Sequence, residues 1–145
     1  MKRLLLLLGS FFVFTSFVQA TSFDPNFIIT DQEINSYDAM TIPEIDEFLR
    51  SKNSYLSYNY FQDFDGITRT VPEIIWLASQ RYFINPKYTL VLLQKEQSLI
   101  ERTNPSQRDL DWATGYGVCD NCKTTDSAIQ KYKGFGKQVD NGVGF

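Results

Sequence analysis

Apolar and polar residues alternate with a helical period in four stretches of this chain. Thr41-Ile-Pro-Glu44 is a capping box ahead of Ile45, Phe48 and Leu49, so a short amphipathic helix is expected to run to about Lys52. The same chemistry recurs at Thr70-Val-Pro-Glu73, ahead of Ile74, Ile75, Leu77, Ala78 and Tyr82. The residues around the two motifs show no longer repeat, so they are two independent helix starts. A third helix is expected over Pro86 to Glu101, capped by Asn85 with proline at the first helical position, and ending before Asn104-Pro105. Ser106 to Ala113 reads as a loop or short helical turn, and Thr114-Gly-Tyr-Gly117 as a compact turn. From Thr125 the pattern is helical again through Ile129 and Tyr132, interrupted by Gly134 and Gly136. With no convincing alternating strand, the expected class is mainly α.

The connecting segments carry weaker signals. Residues 21–40 are mixed, with Pro25 and no sustained period, and read as an extended N-terminal segment packed down by Phe27, Ile28 and Ile29. Five of the ten residues from Tyr55 to Phe64 are aromatic. Aromatic faces can stack on sugar rings, but padding of a small core is the preferred account. Asp63-Phe-Asp65-Gly66 looks like part of a calcium loop. Aligning Gly66 to the required glycine puts Phe61 at the first ligand position and Pro72 at the last, so an acidic turn before the Thr70 cap is expected instead.

The opening Met1-Lys2-Arg3, the largely apolar stretch Leu4 to Val18 and the small-residue pattern Val18-Gln19-Ala20 read as a secretory signal peptide over residues 1–20, with an uncleaved N-terminal anchor as the alternative. The apolar span is shorter than the roughly 20 residues of a membrane helix. The expectation is a secreted, periplasmic or wall-associated protein beginning near Thr21, without stable membrane insertion after cleavage. Loss of residues 1–20 leaves 12 Lys and Arg against 17 Asp and Glu, a net charge of −5. That balance and the scattered bases argue against a nucleic-acid partner. The local cluster Lys131, Lys133 and Lys137 reads as a solvated helix face. Residues 41–145 are long enough for one helical domain with its own core.

Histidine is absent from all 145 residues. Ser-His-Asp and Cys-His catalysis and zinc sites with histidine ligands are therefore excluded, and carboxylates become the main candidates for chemistry. Glu96 stands out among them. Read as part of a helix reaching Glu101, its neighbours three and four residues away are Leu92, Leu93, Leu99 and Ile100. Hydrocarbon around a carboxyl favours its neutral form, as a general acid requires. About twenty residues later, the Gly-Tyr-Gly turn would let a sugar chain approach backbone N–H and C=O groups. Together these suit glycoside cleavage, where the leaving oxygen needs a proton. A glutamate satisfied by a base from another element is the alternative.

Three stretches resemble the lysozyme-like domain of exported bacterial proteins described as haemagglutinin-related or endo-β-N-acetylglucosaminidase-like: Asn85 to Ile100 with its Leu-Leu-Gln-Lys-Glu-Gln, Asp111 to Cys119 with its Ala-Thr-Gly-Tyr-Gly, and Tyr132 to Val139. Phe23 to Asp31 is similar to the start of that domain. The resemblance extends to goose-type lysozymes and lytic transglycosylases. It implies a lysozyme-like helical domain acting on peptidoglycan or another amino-sugar glycan, with Glu96 as the acid. Thr114, Gly115, Tyr116 and Gly117 then take the place of the Gly-rich substrate motif, with Trp112 beside it. The family domain usually continues past this point with a further helix and a Tyr-rich tail, so a C-terminally shortened version is expected. A non-catalytic wall-binding or adhesion module and an inactive relic are the alternatives. Asp109, Asp111 and Asp120 are candidates to position water or stabilise charge.

Cys119-Asp-Asn-Cys122 is expected to form a small disulfide loop stiffening the end of the turn, in line with an exported protein. A redox pair would want a preceding strand and electropositive surroundings. Zinc would need two further ligands of the usual kind, and no metal or other cofactor is expected. The oligomeric state is left open.

Overall fold

The computed structural model describes residues 28–121 and 123–144. The expected signal peptide, residues 21–27 and Cys122 lie outside them. The fold is mainly helical, with seven α-helices and one two-stranded hairpin among the described residues. Helix α1 is Asp31–Ile34, α2 Ile42–Ser51, α3 Val71–Tyr82, α4 Pro86–Gln97, α5 Gln107–Asp111, α6 Ser127–Gln130 and α7 Phe135–Val143. Strands β1 (Tyr60–Gln62) and β2 (Thr68–Thr70) pair antiparallel between α2 and α3, after a 3₁₀ turn at Tyr55–Tyr58.

The caps read from the sequence are present. Thr41 with Glu44 and Thr70 with Glu73 each make both bonds of a capping box, and the Asn85 side chain accepts from Lys87 N–H. Each satisfies backbone groups that a helix end leaves unpaired. Helix α3 is the centre of the domain and packs against α2, α4 and α7. Its Ile74 and Ile75 join Ile45 and Leu49 of α2, Leu93 of α4 and Val139 of α7 in one buried core.

Several expectations are corrected. The segment expected to be extended contains α1, opened by a third capping box, Thr30 with Glu33. Ile28 and Ile29 do not pack down: they are 80% and 50% exposed. The third helix stops at Gln97 rather than Glu101, because Ser98 turns left-handed (φ 56°) and its N–H returns to Gln94 O while Leu99 N–H returns to Leu93 O. The aromatic segment is not simple padding. Leu56 fills the core and Phe61 stacks on Phe135 at 4.6 Å, whereas Tyr58 and Tyr60 are more than 60% exposed.

The hairpin escaped the period-2 pattern because its strands are three residues long. Its turn is the acidic Asp63–Gly66 segment, where Gly66 (φ 85°) donates to Asp63 O at 2.9 Å. Arg69 then ties Asp65 at 2.7 and 2.8 Å and Asp63 at 2.8 Å. Gly136 does not interrupt the last helix but lies within α7. A Cβ there would meet Gln62 O at 2.5 Å, so the missing side chain lets α7 lie against the hairpin backbone. The three lysines are not one helix face: Lys131 caps α6, Lys133 sits in the following turn near Asp111, and Lys137 belongs to α7.

Candidate functional site: Glu96 and the Gly-Tyr-Gly turn

Glu96 lies one residue before the end of α4. The early stop removes Leu99 and Ile100 from its face, so the expected enclosure by four apolar neighbours does not form. The side chain is 30% exposed, and Oε1 accepts from Lys95 Nζ at 2.8 Å. That bond raises the pKa of the Lys95 ammonium, which is itself 75% exposed.

Tertiary packing supplies a different neighbour. Gly115, at φ +69°, sits so that a Cβ on it would lie 3.2 Å from Glu96 Oε2. The acid and the turn expected to serve it therefore share one surface. Gln97 reinforces the junction, donating from Nε2 to Trp112 O at 3.3 Å, the same carbonyl that accepts from Gly115 N–H at 3.0 Å.

The turn is held from beneath by Gln138 of α7, a residue with no exposed surface. Its Oε1 accepts from Thr114 N–H at 3.3 Å, the Thr114 hydroxyl at 3.1 Å and Tyr116 N–H at 3.1 Å. Its Nε2 donates to Tyr116 O at 3.0 Å and Tyr132 O at 2.9 Å. A carboxamide is the group that can both accept and donate in this way. Gly117 (φ +78°) lies over the Tyr132 ring, where a Cβ would come within 2.6 Å, and the Tyr116 and Tyr132 rings meet edge to face at 5.0 Å.

The expected site residues thus differ in what they offer a ligand. Gly115 and Tyr116 are half-buried and Gly117 is exposed. Thr114 is buried, and Gln138 O at 2.8 Å is the nearer of the two Gln138 oxygens that share its single hydroxyl proton. Trp112 is only 5% exposed and borders a cavity of about 240 Å³ that Gly115 and Gln97 also line. Cys119 is exposed beyond the turn; its expected partner Cys122 is outside the described residues.

Two of the candidate second acids are engaged elsewhere. Asp109 caps α5 through Ser106 N–H at 2.8 Å and pairs with Arg102 at 2.5 Å; the Ser106 backbone bond is the main cause that lowers its pKa. Asp111 accepts from Gln107 at 3.0 Å and lies 3.3 Å from Lys133 Nζ. Asp120 is exposed. Among the described residues the most buried acid is Asp63, in the hairpin turn. Burial pushes its pKa up, against the lowering effect of the Phe64 N–H and Arg69.

Gln138 and Gln97 were not singled out in the sequence. A signal for the first exists: with α7 in place, Phe135, Val139, Gly142 and Val143 share a stripe with Gln138, a polar residue on an apolar face. No group of three or more metal-ligating side chains occurs among the described residues. No described helix is long and apolar enough to cross a membrane. Fold and site define a mainly helical protein with an acid facing a glycine turn. Compared with protein-family models, curated proteins and solved structures, the chain matches none.

Proposed function

We propose that this chain is a secreted, peptidoglycan-active glycosidase of lysozyme or lytic transglycosylase type, in which Glu96 gives a proton to the glycosidic oxygen between amino sugars. The observation that carries this reading is the meeting of Glu96 Oε2 with Gly115. A sugar laid along the turn would bring its linking oxygen to Oε2, while Oε1 stays on Lys95. Cleavage needs an acid within hydrogen-bond reach of the leaving oxygen. A side chain at Gly115 would stand in that approach.

Asp109 and Asp111 are tied to Arg102, Ser106, Gln107 and Lys133, which favours a route with one carboxyl group over one with two. In the one-acid route Glu96 first donates its proton and then, as carboxylate, takes one from the attacking hydroxyl. Purified mature protein should release muropeptides from cell-wall suspensions. Glu96→Gln should abolish release and leave helical circular dichroism unchanged; equal release by the variant would sink the mechanism.

A second reading, a non-catalytic glycan-binding module, is favoured by a separate surface. Tyr58 and Tyr60 border a groove of about 480 Å³ with Asp46, Arg50 and Thr70. Retention on insoluble peptidoglycan without turnover, insensitive to Glu96→Gln, would support it.

A further inference from the structure

Arginine usage in this domain has one exception. Arg50 pairs with Asp46, Arg69 with Asp63 and Asp65, Arg81 with Asp140, and Arg102 with Asp109. Among the described residues, Arg108 is the arginine whose guanidinium has neither a carboxylate partner nor a side-chain hydrogen bond. It projects from α5, exposed, and lines the 240 Å³ cavity with Gln97, Trp112, Gly115 and Thr124. Gly115 and Gln97 are also the residues that connect this cavity to Glu96. An unpaired cation therefore stands on the wall next to the proposed cleavage point.

The other ionised group on that wall is Asp109. Its carboxylate is already held by Ser106 N–H and Arg102, so it leaves Arg108 uncompensated. The cavity is smaller than the roughly 300 Å³ at which pockets begin to hold drug-sized ligands. It suits a substituent of a sugar rather than the sugar chain. A guanidinium presents a planar fork of donors that matches a carboxylate with two parallel bonds. The mature chain carries a net charge of −5, so its overall field disfavours an anionic glycan and recognition of one falls to a local cation.

We propose that Arg108 is a specificity-determining residue that receives a carboxylate carried by the glycan when the bond to be cleaved lies at Glu96. This rests on the glycosidase reading and assigns recognition of the acidic substituents of the amino-sugar chain to one residue. The carboxylate can belong to a lactyl ether on the sugar or to a peptide attached there.

The test is calorimetric binding to the mature chain carrying Glu96→Gln, which prevents turnover. Three probes separate the sources: a neutral N-acetylglucosamine tetramer, a peptide-free tetrasaccharide with lactyl carboxylates, and the same tetrasaccharide with its peptides. At low salt at least one acidic probe should bind about tenfold more tightly than the neutral tetramer. Adding Arg108→Gln should erase that preference, leave affinity for the neutral tetramer and the melting temperature unchanged, and Arg108→Lys should restore part of it. Binding of the neutral tetramer with no acidic preference, or equal weakening of all probes by Arg108→Gln, overturns the role of Arg108 and leaves the glycosidase reading standing. Failure of all three probes to bind overturns both.

Discussion

Glu96 Oε2 lies 3.2 Å from the point that a Cβ on Gly115 would occupy, so an acid at the end of α4 and a glycine in the turn after α5 form one surface. Gln138 holds the turn's backbone at Thr114 and Tyr116, on either side of Gly115.

Gly115→Ala tests that surface directly. Alanine at φ +69° costs about 1–2 kcal/mol of stability, and its methyl group would press on the Glu96 carboxylate. Urea unfolding should show that loss, and muropeptide release should fall by far more than the unfolded fraction explains. Full release by a folded variant would show that the turn is not a substrate surface.

Gln138→Leu removes the acceptor of Thr114 and Tyr116 N–H and the donor to the Tyr116 and Tyr132 carbonyls. Each buried group left unpaired costs about 1–3 kcal/mol, so the unfolding free energy read from urea denaturation should drop by more than about 3 kcal/mol. Gln138→Glu should destabilise too, because a carboxylate cannot donate to the two carbonyls. A neutral outcome for both substitutions would contradict the network.

Ser98→Gly should stabilise the protein. Serine is left-handed there, at φ 56°, and glycine reaches that conformation without steric cost. The expected gain is about 1 kcal/mol, read from chemical denaturation, whereas Ser98→Val should lose at least as much. Destabilisation by glycine would mean that the serine hydroxyl holds the chain in a way its backbone does not reveal.

Stability should fall in acid. Hydrogen bonds from the cap threonines lower the pKa values of Glu33, Glu44 and Glu73, and Arg69 lowers that of Asp65 to about 2. These groups are more acidic folded than unfolded, so their contribution is present above the unfolded carboxylate values of about 4 and is lost as pH drops through the folded ones. Asp63 opposes the trend, since burial raises its pKa and acidification relieves the burial of its charge. The urea midpoint should decline from about pH 4.5 downward. Asp65→Asn should flatten the lower part of that decline; an unchanged acid limb would exclude Arg69–Asp65 as a contributor.

Much of the helical framework was legible because its signals are local. Thr41, Thr70 and Asn85 each cap a helix within reach of their own side chains, and Ile45, Leu49, Ile74 and Ile75 point to the core through spacing alone. The hairpin was not legible, since three-residue strands are too short to display alternation. Nor was the end of α4, where a left-handed Ser98 overrides an apolar pattern that runs on to Ile100.

What the sequence determined by itself was the absence of imidazole, a mainly helical chain, and two candidate pieces, Glu96 and the Thr114–Gly117 turn. Only the tertiary structure decided how they meet. Leu99 and Ile100 leave the helix instead of enclosing Glu96, and Gly115 arrives in front of it because Gln138, on the last helix, ties down both Thr114 and Tyr116. Those bonds join residues more than twenty positions apart. Periodicity reports neighbours three and four residues away, whereas the setting of this acid depends on partners that only folding brings together.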